Sequence, residues 1–381
     1  MKPIIRPGEP GYRRCSVTVM DTTDPDITFD DQGRSNWVRH FEQTFQLRWK
    51  PQGDPAAFQL LMDRIRKTGR HKRYDCAIGL SGGVDSSYLA YLVKREGLRP
   101  LVIHTDAGWN SETAVRNIEN IVNKCGFDLF TVVIDWDSLA DLQRAFLRAG
   151  VPNQDIPQDH AIFAAFYGLA ARHGIRYVLS GHNIACESIM PPSWGYDALD
   201  TRHIRAIHAR FGERPLRGFP LMGKLRYGIE YQLLRRMRIL KPLDLLPYSK
   251  AEAIRTLEKE FGWQYYGGKH FESRWTRFFQ AWWLPSRFGY DKRLGHLSSM
   301  ILSGQISRAE ALAELESPSY TEALMREDLA LVLKKLAMSP HDWEHLLSRP
   351  VHAHEEYPQG LALTRFMQSG KRWMRRLGAV P

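Results

Sequence analysis

The sequence is poor in cysteine. Cys15, Cys76, Cys125 and Cys186 are scattered through 381 residues, which excludes a disulfide scaffold. No two of them form a C-x-x-C pair, so no dithiol is offered for redox or sulfur relay. Long apolar runs are missing too, and none reaches the length of a membrane span. The opening MKPIIRPGEPGYRR has basic residues but no apolar stretch behind them, unlike a secretory signal. Internal repeats and low-complexity tracts are absent. These absences predict a soluble, cytoplasmic protein with reduced thiols.

Acidic residues are in deficit, and the net charge is +11. Such a balance suits nucleic acid, an anionic surface or polyanionic small substrates. The excess is dispersed, with one denser stretch, TRFMQSGKRWMRRLG (364–378). That stretch reads as a solvated terminal helix before it reads as a partner-binding one. Apolar residues make up 43% and aromatics 11%, enough to fill a sizeable core in two or three domains.

Hydrophobic periodicity orders the first half. YDCAIGL (74–80), LVIHT (101–105), LFTVVID (129–135) and RYVLSG (176–181) are short apolar runs, read as buried strands. Helical patterns at 58–67, 84–97, 111–126, 138–150 and 161–174 alternate with them. The alternation predicts a doubly wound parallel α/β sheet covered on both faces. Ligands of such sheets bind outside the carboxyl ends of the strands. Beyond about residue 215 the patterns at 248–262, 308–318 and 321–339 are helical, and the first opens with a capping box of Ser249 and Glu252. The expected division is an N-terminal lobe (1–60), a nucleotide-binding domain (61–215) and a mainly helical domain (216–381). Trp275, Phe278, Phe279 and Trp282 share one helical face and are expected in the core.

The chemistry concentrates in GLSGGVDSSY (79–88), between a strand and a helix. Backbone N–H groups and the helix dipole favour an anion there. Gly82 and Gly83 permit a tight turn and close approach of phosphate, and Ser81, Ser86 and Ser87 add hydroxyl donors. The lysine of the common G-x-x-x-x-G-K-[ST] loop is missing. Asp85 would repel phosphate without a cation between them, so Mg²⁺ is expected. A loop gripping by backbone and hydroxyls suits pyrophosphate as a leaving group.

The stretch SGGVDSS after a strand resembles the PP-loop of the ATP pyrophosphatase superfamily, with its S-G-G-x-D-S signature. The resemblance implies an adenine nucleotide alpha hydrolase-like fold, ATP and Mg²⁺ as cofactors, and adenylation of a substrate oxygen. It implies ATP contacts from Ser81, Gly82, Gly83, Val84, Asp85 and Ser86. HTDAGWNSE (104–112) and SGHNIACES (180–188) leave the second and fourth strands at the same sheet edge. By the same resemblance His104, Asp106, Gly181 and Asn183 contact the nucleotide, and Glu187, with Asp85, serves metal or substrate. None of the cysteines stands in a G-x-C-x-G elbow or at position 2, so no glutaminase nucleophile is evident.

Longer segments narrow the resemblance. VMDTTDPDITFDDQG (19–33), MPPSWGYD (190–197) and the run from Tyr266 to Leu312 look like the N-acetyl sugar amidotransferase family of lipopolysaccharide O-antigen biosynthesis. That family implies conversion of an acetamido group on a nucleotide-linked, probably UDP-linked, sugar to an acetamidino group. It implies ammonia from a separate glutaminase, and no nucleic acid. Lys269, Arg274, Lys292 and Arg293 are the basic candidates, with Asp85, for the catalytic charge. Typical members open with two C-x-x-C pairs, a zinc site. Here the corresponding positions are Cys15, Thr18, Ser35 and Val38, and one thiolate cannot build a four-coordinate site. No zinc is expected. The rival readings are amidation of a sugar carboxylate, a PP-loop enzyme modifying tRNA, and a non-catalytic subunit that docks a glutaminase.

Overall fold

A computed structural model describes residues 3–318 and 320–360; the basic stretch 364–378 lies outside them. Five strands form one parallel sheet: β1 (Cys76–Gly79), β2 (Pro100–Asp106), β3 (Leu129–Val133), β4 (Tyr177–Leu179) and β5 (Arg238–Leu240). Their order is β3-β2-β1-β4-β5. The chain winds outward from β1 to β3, then crosses back to place β4 on the other side of β1. The β1/β4 crevice is therefore the topological switch point, where open α/β sheets bind ligands. Cys76, Ala77 and Ile78 of β1 are fully buried, as a central strand covered on both faces requires.

The two faces are covered by different helices. Ile78 and Val102 pack with Leu89, Ile121 and Leu257 from the helices Val84–Arg95, Glu112–Cys125 and Lys250–Phe261. Ala77, Leu101 and Ile103 pack with Phe166 and Ala170 of Ile156–Arg172. β5 was not evident from the sequence. Its three residues, flanked by charge, are too short for a periodicity to register, yet it extends the sheet with chain from beyond residue 215.

Other differences have local causes. The helix expected over 161–174 begins five residues earlier, at Ile156, where Pro157 fits the first turn. At Ser249 only half of the expected box forms, its hydroxyl accepting from the Glu252 N–H at 3.4 Å. The aromatic face holds at Trp275, Phe278 and Phe279, each 1% exposed. The backbone then widens into a π-helical turn, Phe279–Trp283. One extra residue per turn carries Trp283 into the core, and Trp282 packs at its margin.

In the N-terminal lobe Cys15, Thr18, Ser35 and Val38 are all buried. The Cys15 sulfur accepts from the Thr18 and Ser35 N–H groups at 3.4 and 3.3 Å. Arg308 ties this turn to the helical half by donating to the Thr18 and Cys15 carbonyls, both at 3.1 Å.

Arg274 and Arg277 converge on Asp328, which is fully buried. Arg274 Nε reaches Asp328 Oδ1 at 2.7 Å, and Arg277 Nε reaches Oδ2 at 2.7 Å. Removing the carboxylate strands the Arg277 guanidinium and leaves Arg274 only the exposed Glu327. Asp328→Ala should therefore lose about 3–5 kcal/mol, seen in thermal melts as a fall of roughly 10 °C. A variant melting within a degree of wild type would contradict this.

Candidate active site

The loop after β1 is folded by its own side chains. Gly82 takes φ +80°, and a Cβ there would meet the Ala114 carbonyl oxygen at 2.5 Å. Ser81 Oγ accepts from the Gly83 N–H at 3.2 Å, and Ser86 Oγ accepts from the Ser81 N–H at 3.3 Å. Trp263 Nε1 donates to the Gly82 carbonyl at 3.0 Å, and the Val84 N–H donates to the Tyr266 hydroxyl at 3.2 Å. The helical half thus clamps the loop from outside.

Asp85 opens the helix that follows. It accepts from Asn183 Nδ2 at 3.2 Å and from the Tyr248 hydroxyl. Asn183 also caps its own short helix, accepting from the Cys186 N–H at 2.9 Å. Gly181 lets β4's exit loop approach, since a Cβ would lie 2.9 Å from the Asp85 backbone. Lys269 Nζ stands 2.7 Å from Glu187 Oε1 and 4.0 Å from Asp85 Oδ2. Burial alone would raise the Glu187 carboxyl. The charges of Lys269, His182 and His270 outweigh it and hold Glu187 well below the carboxylate range. Burial would lower Lys269, but Glu187 and Asp85 hold it above its usual value.

A 280 Å³ cavity lies over this network, floored by Ser81, Gly83 and Ser86 and walled by Glu187, Lys269 and Glu272. A 430 Å³ cavity adjoins it at the ends of β1 and β2, sharing Ser81, His270 and Glu272. His104, Asp155, Asp159 and Lys292 line this second space. His104 is fully satisfied: Nδ1 donates to the Leu80 carbonyl at 2.9 Å, and Nε2 accepts from Asn110 at 3.0 Å.

The structure gathers Ser81, Gly83, Val84, Asp85, Ser86, Gly181, Glu187 and Lys269 around the first cavity. Gly82 shapes the loop from behind, and Asn183 positions Asp85. Asp106 is not brought to either cavity; it accepts from the Gly108 N–H at 2.7 Å and faces a neighbouring groove. Arg274 is held away by Asp328 and by Glu327 at 2.7 Å. Arg293 is held by Asp291 at 2.7 Å, in a separate cavity. Tyr248, Tyr266, His270 and Glu272 escaped the sequence reading. Glu272 carried one usable signal, its place three residues after Lys269.

No group of three His, Cys, Asp or Glu side chains among the described residues is arranged to hold a metal. Mg²⁺ asks for less, one or two carboxylates completed by phosphates and water. Glu272 fits that demand. Its Oε2 is buried without a hydrogen-bond partner, and its Oε1 lies 3.0 Å from where a Gly83 Cβ would stand. Asp85 lines the same cavity and is the other carboxylate that could contribute.

Asp159 faces Asp155, Lys292 and His270 in the larger cavity. Burial, and then the Asp155 charge, raise its carboxyl from 3.8 to about 7. A raised carboxyl stabilises the fold in its protonated state. That contribution is complete below the unfolded value and is lost as pH climbs through about 7. Asp159→Asn should therefore match wild type near pH 4. At pH 8 it should exceed it by on the order of 1 kcal/mol, about 3 °C in Tm. Parallel pH–Tm curves would contradict the assignment.

An S-G-G-x-D-S loop at the switch point of a parallel sheet defines an ATP pyrophosphatase fold of the PP-loop class. The family model described as asparagine synthase matches residues 68–287. A second, "LPS biosynthesis protein WbpG-like, C-terminal domain", matches residues 272–369. The chain therefore belongs to the asparagine synthase family of PP-loop type, and the WbpG-like C-terminal domain that follows is consistent with the N-acetyl sugar amidotransferase resemblance. This membership implies use of ATP and Mg²⁺.

A tRNA-specific 2-thiouridylase of Yersinia pestis is 31% identical over 127 residues, covering 29% of this chain. The chain spans only 34% of that relative's length. Two solved structures are also similar, each at 15% identity. The NH3-dependent NAD synthetase of Campylobacter jejuni has a TM-score of 0.28, covering 54% of this chain and 92% of that one. The U34-tRNA thiolase of Methanococcus maripaludis has a TM-score of 0.31, covering 72% and 80%. No described helix is long and apolar enough to cross a membrane.

Proposed function

We propose that the chain is the ATP-dependent synthetase subunit of an amidotransferase. It converts an acetamido group on a nucleotide-linked sugar to an acetamidino group during surface-glycan synthesis. The observation that carries the reading is the pair of joined cavities, with the glycine loop in one and His104 in the other. They offer adjoining places for triphosphate and nucleoside. The amide oxygen attacks the α-phosphorus, pyrophosphate leaves, and an O-adenylated imidate forms. Ammonia adds to its carbon, AMP departs with the former amide oxygen, and the amidine remains. The Ser81 and Ser86 hydroxyls and the dipole of the helix that opens at Val84 orient the leaving pyrophosphate, and Lys269 balances the charge that develops there. Asp85 and Glu272 would hold Mg²⁺, which would supply positive charge against the phosphates.

The ammonia is proposed to come from a separate glutaminase. All four cysteines are buried. Burial pushes the Cys125 and Cys186 thiols up to about 11, and Cys76 is raised further by full burial. Cys15 is lowered by bonds from Ser35 and Thr18 that outweigh burial, yet it is inaccessible at 0% exposure. The same facts disfavour sulfur transfer to tRNA.

A test measures AMP and glutamate with each component omitted. AMP should form with ATP, high ammonium at alkaline pH and a nucleotide sugar bearing an acetamido group and no carboxylate. Glutamine should fail until a partner glutaminase is added. Glutamate released by this chain alone would overturn the two-subunit reading, and AMP formed only with tRNA would move the assignment to RNA modification.

A further inference from the structure

Behind the phosphate cavity lies a third space of 310 Å³ that neither the loop nor the strand ends explain. A strap turned at Gly267 (φ 91°) and His270 (φ 62°) separates them. A positive φ at a non-glycine residue is strained and is retained where the surroundings demand it. Gly268, Lys269 and Lys250 line both spaces, while Lys292 lines the third space and the strand-end cavity.

The chemistry of this space is particular. Lys250, Lys292 and Arg293 face it beside Tyr265 and Tyr320. Arg293 is paired with Asp291 at 2.7 Å, but among the described residues no carboxylate stands within ion-pair distance of Lys250 or Lys292. Asp291 caps the helix Lys292–Leu302 by accepting from the Arg293 N–H at 2.9 Å, and Glu314 also lines the space, so the positive charge left without a close counter-ion is that of Lys250 and Lys292. An independent observation comes from His296. Its Nδ1 is 3.3 Å from the Cys186 carbonyl oxygen, which can only accept, so Nδ1 carries the proton. Nε2 is then a lone-pair acceptor, and it is buried without a partner. Burial, and then Lys269, hold the ring well below its ordinary value and keep it neutral. An anion alone would leave Nε2 unsatisfied; a ligand hydroxyl would satisfy it.

We infer that this third cavity binds the acceptor as a nucleoside diphosphate sugar, with its diphosphate at Lys250, Lys292 and Arg293 and a hydroxyl donating to His296 Nε2. Tyr265 and Tyr320 offer faces for the base, and Lys269 and Lys292 mark the openings toward the ATP cavities. The inference rests on the proposed sugar-nucleotide reaction for its substrate class, while its site stands on the residues above.

Calorimetry without ATP or ammonia tests it, using UDP-N-acetylglucosamine, GDP-mannose and dTDP-glucose as probes. At least one should bind. Arg293→Gln and His296→Phe should each weaken it at least tenfold, leave ATP affinity within twofold and keep the wild-type melting temperature. Arg293→Lys should retain most of the binding. The assignment is overturned if no probe binds, if binding survives both substitutions, or if ATP displaces the probe. Binding that meets these criteria without AMP formation in ammonium would sink the proposed reaction and leave the site standing.

Discussion

Asp85→Asn should fold like wild type and release AMP roughly a hundred- to a thousandfold more slowly, the scale of losing one positioned electrostatic group in a water-poor site. The substitution is isosteric. An asparagine oxygen can still accept from the Tyr248 hydroxyl or from Asn183, the two donors that hold Asp85. What disappears is the negative charge at the foot of the phosphate loop. Without it, Mg²⁺ would lose one of the two carboxylates proposed to hold it, and Lys269 loses a counter-charge 4.0 Å away. Thermal melting should move little, because Asp85 keeps a partner. ATP–pyrophosphate exchange is the direct readout. Exchange at the wild-type rate in a well-folded Asp85→Asn protein would remove Asp85 from the reaction.

The loop was legible because its constraint is local. Ser81, Gly82, Gly83 and Asp85 are adjacent in sequence, and Gly82's positive φ and closeness to Ala114 are needs that a short motif can encode. The alternation of strands and helices was legible for the same reason, through Leu101, Val102 and Ile103 in β2 and the glycine stops at Gly126 and Gly150. What escaped depends on contacts between distant parts of the chain. Tyr248 and Asp85 are 163 residues apart, and no pattern around Tyr248 marks it. Asp155 and Asp159 fell before the helical period became apolar, so the first turn of Ile156–Arg172 was missed together with its carboxylates. Arg274 shows the converse. Its neighbours in sequence suggested a site, but its energy is decided by Asp328 on another helix. A basic residue near a motif has no direction until the partner that claims it is known.

Lys269→Met should be damaging twice over, to stability and to turnover. Lys269 and Glu187 are each 16% exposed and 2.7 Å apart. Removing one partner of a buried pair strands the other, at about 3–5 kcal/mol. The pH dependence gives the sign. Glu187 is held low in the folded protein, against burial, chiefly by Lys269. A depressed carboxyl contributes stability above its unfolded value and loses it as pH falls through the folded one. In Lys269→Met that contribution is gone, so the deficit should be full at pH 7 and shrink below the ordinary glutamate range. Adding Glu187→Gln removes the stranded charge and should restore much of the lost stability. It should not restore AMP formation, because the cation facing the phosphate cavity is still missing. Melting curves at pH 7 and pH 4 for the single and double variants separate the two effects. A double variant that regains both stability and turnover would make Lys269 a structural counter-ion and leave the phosphate charge to other groups.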